Sequence, residues 1–118
     1  MMMPAGKYSF VIEAGATFNL DFTMYTGGSK WNLTGYSARM DIREDIDSVT
    51  ALISLDSNGN GITLGGAAGT VEIEIDATTT ETFPAGQYVY DLEIEDTNGY
   101  VWRVIQGKVQ VRAEVTHP

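Results

Sequence analysis

Several clusters of residues in this chain have types and spacings that chemistry uses. Asp56-Ser57-Asn58-Gly59-Asn60-Gly61 sets oxygen-bearing side chains at alternate positions with a glycine at the sixth, as at the opening of a calcium loop. The pattern then fails, because the twelfth position is Ala67 where a bidentate Glu is needed and both flanks read as strands. Asp56, Asn58 and Asn60 are therefore a metal candidate without its strongest ligand, and an Asn-Gly turn is the simpler reading. Two runs of alternate carboxylates, Glu72, Glu74, Asp76 and Asp91, Glu93, Glu95, have the residue type of a glycosidase pair. Repeating every second residue along one face, they instead have the ordinary pattern of a solvated sheet. Gly65-Gly66-Ala67-Ala68-Gly69 is glycine-rich, yet no Lys-Ser or Lys-Thr follows it, so it reads as a loop and not as a phosphate cradle. The chain has no cysteine and a single histidine, His117, next to the last residue. Thiolate metal sites and cysteine nucleophiles are thereby excluded, and a histidine-based centre is disfavoured. The expectation is a protein that is not an enzyme and needs no cofactor.

Aromatic residues are the remaining candidates. Trp31, Tyr36, Tyr100 and Trp102 could form a platform for a partner protein or a sugar ring, since Tyr and Trp combine a large area with a polar tip. Trp102 and Tyr36 fall in phase with apolar neighbours and are expected in the core. Trp31 and Tyr100 flank predicted loops and are the candidate partner-binding rings.

The elements that must position these residues follow from the apolar period, which is two almost everywhere. Strands are predicted over 8–12, 18–24, 36–43, 51–55, 62–64, 71–75, 87–95 and 102–111. Asp76 suits the N-cap of one short helical turn over 77–83, which Pro84-Ala85-Gly86 ends. Asn98-Gly99 between two alternating runs predicts a hairpin. In the last strand Trp102 and Val104 are even-numbered, whereas Val109 and Val111 are odd. Either Arg103 turns inward or a bulge shifts the phase, and a bulge near Gly107 is the reading adopted. Seven to eight short strands at this spacing predict an all-β, antiparallel sandwich of immunoglobulin-like size, without that fold's disulfide. The domain is expected over 7–112, between an N-terminal arm at 1–6 and a tail at 113–118.

Charge adds strand order. The 118 residues include 16 Asp and Glu against 7 Lys and Arg, a formal net charge of −9. Such a surface repels nucleic-acid phosphates and anionic membranes, so neither is expected as a partner. Five of the 7 basic residues, Arg39, Arg43, Arg103, Lys108 and Arg112, lie on the third and last predicted strands. Opposite charges facing across strands favour pairing and like charges oppose it. The strand carrying Asp91, Glu93 and Glu95 should therefore lie between those two. The other acidic strand, with Glu72, Glu74 and Asp76, should pair with strand 18–24 in the second sheet.

The segments Gly6-Lys7-Tyr8-Ser9-Phe10, Gly15-Ala16-Thr17-Phe18, Leu33-Thr34-Gly35-Tyr36-Ser37-Ala38-Arg39-Met40 leading to Ile42-Arg43-Glu44, Ile62-Thr63-Leu64-Gly65-Gly66, Gly86-Gln87-Tyr88 with Tyr90-Asp91-Leu92, and Gln106-Gly107-Lys108-Val109 carry a resemblance. Together, from about residue 6 to residue 115, they look like small structural proteins of tailed bacteriophages, and they are similar to the immunoglobulin-like N-terminal domain of phage upper-baseplate proteins. The resemblance implies a virion structural protein of the tail, baseplate or fibre-adaptor region. Met1-Met2-Met3-Pro4-Ala5-Gly6-Lys7 has no charged segment followed by an apolar run of signal-peptide length, so synthesis in the host cytoplasm without a signal peptide is expected. Its implied partners are other phage structural proteins and copies of itself. A carbohydrate-binding or capsid-decorating module is the alternative, with a glycan the less favoured ligand. Met1, Met2, Met3 and Pro4 join Trp31 and Tyr100 as candidate contact residues, because a short unpatterned arm can order on a neighbour by strand addition.

Overall fold

Alternation of apolar and polar residues becomes strands with one dry face in a computed structural model, which describes residues 6–116. In chain order the strands are β1 (Gly6–Lys7), β2 (Phe10–Glu13), β3 (Phe18–Thr23), β4 (Tyr25–Thr26), β5 (Ser29–Lys30), β6 (Ser37–Arg43), β7 (Ile53–Asp56), β8 (Ile62–Leu64), β9 (Thr70–Ile75), β10 (Gly86–Glu95) and β11 (Val101–Arg112). One sheet has the order β1-β11-β10-β6-β7, with β2 continuing β1 along the edge of β11. The facing sheet has the order β3-β9-β8, and β4 and β5 form a two-residue ladder of their own. Inward side chains of both sheets, among them Met40, Ile42, Leu92, Ile94 and Val109 against Val71, Ile73 and Ile75, form one core.

Strand order and one hydrogen bond identify the fold. An edge strand parallel to the last strand, followed by β11, β10, β6 and β7 and opposed by β3, β9 and β8, is the two-sheet arrangement of immunoglobulin domains. Tyr88, near the start of β10, donates its hydroxyl to the Pro84 carbonyl at 2.7 Å, the tyrosine corner that marks this fold. The sandwich is immunoglobulin-like. Two residues on, where a disulfide-linked domain carries its second cysteine, stands Tyr90. Its ring fills the core, and its hydroxyl donates to the Tyr8 carbonyl at 2.6 Å, 82 residues away in sequence.

That bond organises the edge. β1 and β2 both run parallel to β11, so the sandwich is not wholly antiparallel as expected, and Gly6, expected in the arm, pairs with Ile105. Between them Tyr8 and Ser9 cross over Gly107. A Cβ on Gly107 would drive into the Tyr8 carbonyl, which explains a glycine inside a long strand. The phase shift expected near Gly107 lies three residues earlier. Leu92 faces Ile105 whereas Glu93 faces Arg103, leaving Val104 as the extra residue, with Arg103 on the exposed side. Close approach, not a bulge, accounts for the glycine.

The predicted strand order holds. β10 lies between β6 and β11, with Glu93 opposite both Arg39 and Arg103, and β9 pairs with β3 in the other sheet. Residue by residue the charge rule is looser, because Asp91 faces Asp41 and Asp21 faces Glu72. Burying the apolar faces decides the pairing there, and solvent screens the carboxylates.

The helical turn α1 (Ala77–Thr80) is shorter than the expected 77–83. Asp76 caps it, accepting from the Thr79 amide at 2.8 Å, and hydrogen bonding by Thr79, its hydroxyl first and then this amide, holds the Asp76 carboxyl below its ordinary range. Thr80 is fully buried; its hydroxyl accepts from the Gly15 amide at 3.1 Å and lies 2.8 Å from the Ala16 carbonyl, tying the turn to the β2–β3 connection. A 3-10 turn at Gly66–Ala68 forms in what the sequence reads as loop.

Candidate functional site

The four candidate rings converge at one end of the sandwich. Leu33, buried to 1%, donates its amide to the Gly66 carbonyl at 2.9 Å and starts the turn that places Tyr36. Gly69 lets this end close: at φ 72° it lies where a Cβ would stand 2.9 Å from both the Met24 and the Trp31 carbonyl oxygens. The Met24 carbonyl also accepts from the Trp31 amide at 2.8 Å, which fixes Trp31 as the chain leaves β5. On the other side Asp96 folds the β10–β11 hairpin, accepting from the amides of Asn98 and Tyr100 at 2.9 Å each.

Between these loops Trp102 is the hub. Trp31 meets it edge-on at 5.3 Å between centroids, Tyr36 stacks at 6.2 Å, and Tyr100 lies tilted against it at 4.4 Å. The Trp31 indole N–H donates to the Tyr36 hydroxyl at 3.3 Å. Trp102 and Tyr36, expected in the core, are half-buried at its rim, and Trp31 packs with them. Tyr100 is the outermost ring, 50% exposed, with Val101 beside it at 40%. Tyr25, 54% exposed on the hairpin that leads into Trp31, is an exposed ring absent from the sequence candidates. Its signal was available: Tyr25 is out of phase with Phe18, Leu20, Phe22 and Met24 and so faces outward.

The carboxylates of β10 lie on the outer face of the larger sheet, in ion pairs. Arg39 bridges Glu93 at 2.9 Å and Glu95 at 3.0 Å, which raises its pKa, and Arg103 meets Asp91 at 3.1 Å. Arg43 holds Asp41 at 2.7 Å. Partial burial raises the pKa of Asp91; Arg103 opposes the shift, and Glu93 and Asp41 add to it. All of these but Glu95 border a shallow depression of about 880 Å³ whose cations include Lys7 and Lys108. The arrangement is a solvated lattice of ion pairs on the outer sheet face, most of them across strands.

The Asp56 loop closes on itself. One Asp56 carboxylate oxygen accepts from the Asn58 amide at 2.9 Å, while Asn60 turns its NH₂ group toward the other and toward the Ser54 carbonyl at 3.2 Å. With an amide donor facing Asp56, these residues make a hydrogen-bonded turn and not a converging set of oxygen ligands. Met1, Met2, Met3, Pro4 and His117 lie outside the described residues.

Neither a family model nor a curated protein matches the chain. Among solved structures, one from a photo-crosslinking study of multimeric cell-adhesive interactions of VGSC beta subunits is similar, at 12% identity over 97% of this chain and 99% of that chain, with a TM-score of 0.49. The fold assignment stands on strand order and the tyrosine corner.

Proposed function

We propose that this chain is a non-enzymatic structural protein of a tailed-phage particle, in its tail, baseplate or fibre-adaptor region, acting by protein–protein assembly. The particle setting comes from the resemblance of its segments to phage structural proteins, and with it a virion location and synthesis in the host cytoplasm. The mode of action is carried by the aromatic end, where Tyr100 and Val101 stand exposed on a base of Trp102, Trp31 and Tyr36. Exposed aromatic residues over a rigid, packed base favour a protein contact, because little side-chain entropy is lost on binding.

The test is incorporation into particles. Phage carrying the gene with Tyr100→Ser and Val101→Thr should yield purified particles depleted of the protein, while the isolated variant keeps wild-type circular dichroism. Normal incorporation would remove the aromatic end from the contact, and absence of the wild-type chain from purified particles would end the virion reading. Binding in a glycan screen that disappears with Trp31→Ala would favour the carbohydrate-binding alternative; the Trp31 N–H is already engaged by Tyr36.

A further inference from the structure

The aromatic end makes no use of the outer edge of β3. Among the described residues β3 pairs only with β9. The Glu74 amide donates to Gly61 on the β8 side, and the Met24 amide donates to Gly69 at the end of β9. With Phe18 opposite Ile75, alternation then directs the amides of Phe18, Leu20 and Phe22 toward β9 and those of Asn19, Asp21 and Thr23 outward. This edge has no Pro, no Lys and no register break, and Asp21 is its one charge among the devices that normally prevent strands from adding. Its inward residues Phe18, Leu20 and Phe22 are only half-buried, whereas Val71, Ile73 and Ile75 on β9 are 0–3% exposed. A groove of about 240 Å³, lined by Tyr8, Leu20, Phe22 and Ile105, opens beside it.

We propose that β3 pairs antiparallel with β3 of a second copy across a two-fold axis at Leu20, joining the two smaller sheets into one. The proposal rests on the assembly reading only in taking copies of this chain as its partner. Outward amides must face outward amides, so a one-residue slip is excluded. Of the remaining registers, an axis at Asp21 sets Asp21 against its own copy, and like charges directly opposite destabilise. An axis at Asn19 pairs Phe22 with Ala16, beyond the strand. The axis at Leu20 places Asn19 opposite Asp21, an amide against a carboxylate, and Phe18 opposite Phe22, an aromatic pair on the groove side. The alternative occupant, the chain's own Met1–Ala5, offers a shorter segment in which Pro4 has no amide hydrogen.

The absence of native cysteine makes the register directly readable. Asn19 and Asp21 are exposed, so Asn19→Cys and Asp21→Cys leave the core intact. A hydrogen-bonded antiparallel pair has its Cα atoms about 5.5 Å apart, within disulfide reach. Mixing the two full-length variants under mild oxidation should give a disulfide dimer of twice 12.8 kDa, in higher yield than either variant alone or a Glu72→Cys with Glu74→Cys control. Sedimentation of the unmodified chain should show a dimer fraction that grows with concentration and with salt, since each copy carries −9. A monomer at every concentration, or mixed cross-linking no greater than the control, overturns the pairing. So does strongest cross-linking of Asp21→Cys with itself, or cross-linking that requires deletion of Met1–Ala5. Particles that incorporate the chain although no dimer forms would overturn this inference and leave the assembly reading standing.

Discussion

The crossing of Tyr8 over Gly107 makes a prediction about how the edge strand is held. Tyr90→Phe removes the hydroxyl that donates to the Tyr8 carbonyl at 2.6 Å and leaves the ring in the core. An acceptor deprived of its donor costs about 1–3 kcal/mol, and the half-exposed setting of Tyr8 places the effect at the lower end, about 1–2 kcal/mol. Gly107→Ala attacks the same crossing from below, because the added methyl group meets the Tyr8 carbonyl, and overpacking of this kind costs about 1–3 kcal/mol. Once one substitution has lifted the strand, the other has little left to disrupt. The double variant should therefore fall short of the summed single effects by about 1 kcal/mol in urea unfolding. Hydrogen exchange should accelerate over β1 and β2 while β6 and β10 keep their protection. Additivity within about 0.5 kcal/mol, or exchange raised evenly across both sheets, would refute a shared crossing.

Thr80→Val keeps the shape of a fully buried side chain but leaves the Gly15 amide and the Ala16 carbonyl without that hydroxyl, so urea denaturation should show a loss of about 2–4 kcal/mol. Tyr88→Phe opens the tyrosine corner and should lower stability by about 1 kcal/mol, read as a fall of about 3–5 °C in Tm with the fold retained. The two shifted carboxyl groups have opposite pH signatures. Asp91 has its pKa raised in the folded protein, so the fold binds a proton more readily than the unfolded chain, and stability falls as pH rises through the interval above the ordinary Asp value. Asp76 has its pKa lowered, so its contribution is present above the ordinary value and is lost as pH falls below it. Stability measured against pH should lose the first slope in Asp91→Asn and the second in Asp76→Asn, which keeps a capping oxygen; unchanged slopes would contradict the assigned causes.

Period two, turn chemistry and charge made much of this fold legible in the sequence. Strand faces followed from alternation because a pleated strand turns successive side chains to opposite sides, and Asn98-Gly99 marked its hairpin because few residues tolerate such a turn. The acidic run of β10 and the arginines concentrated on its neighbours were enough to order β6, β10 and β11, whereas the β9–β3 pairing, although the predicted one, sets Asp21 against Glu72 and is held by its apolar face. The four aromatic candidates were legible as a platform, but the place of Trp102 at its centre was not, since it joins the loop after β5 to the β10–β11 hairpin. The destinations of the Tyr88 and Tyr90 hydroxyls, the parallel edge over Gly107 and the bulge at Val104 were likewise decided by tertiary structure. Local pattern reports which face of a strand is dry and which residues can turn. It carries no record of a carbonyl 82 residues away crossing above a glycine, because that contact exists only once both sheets have closed on one core.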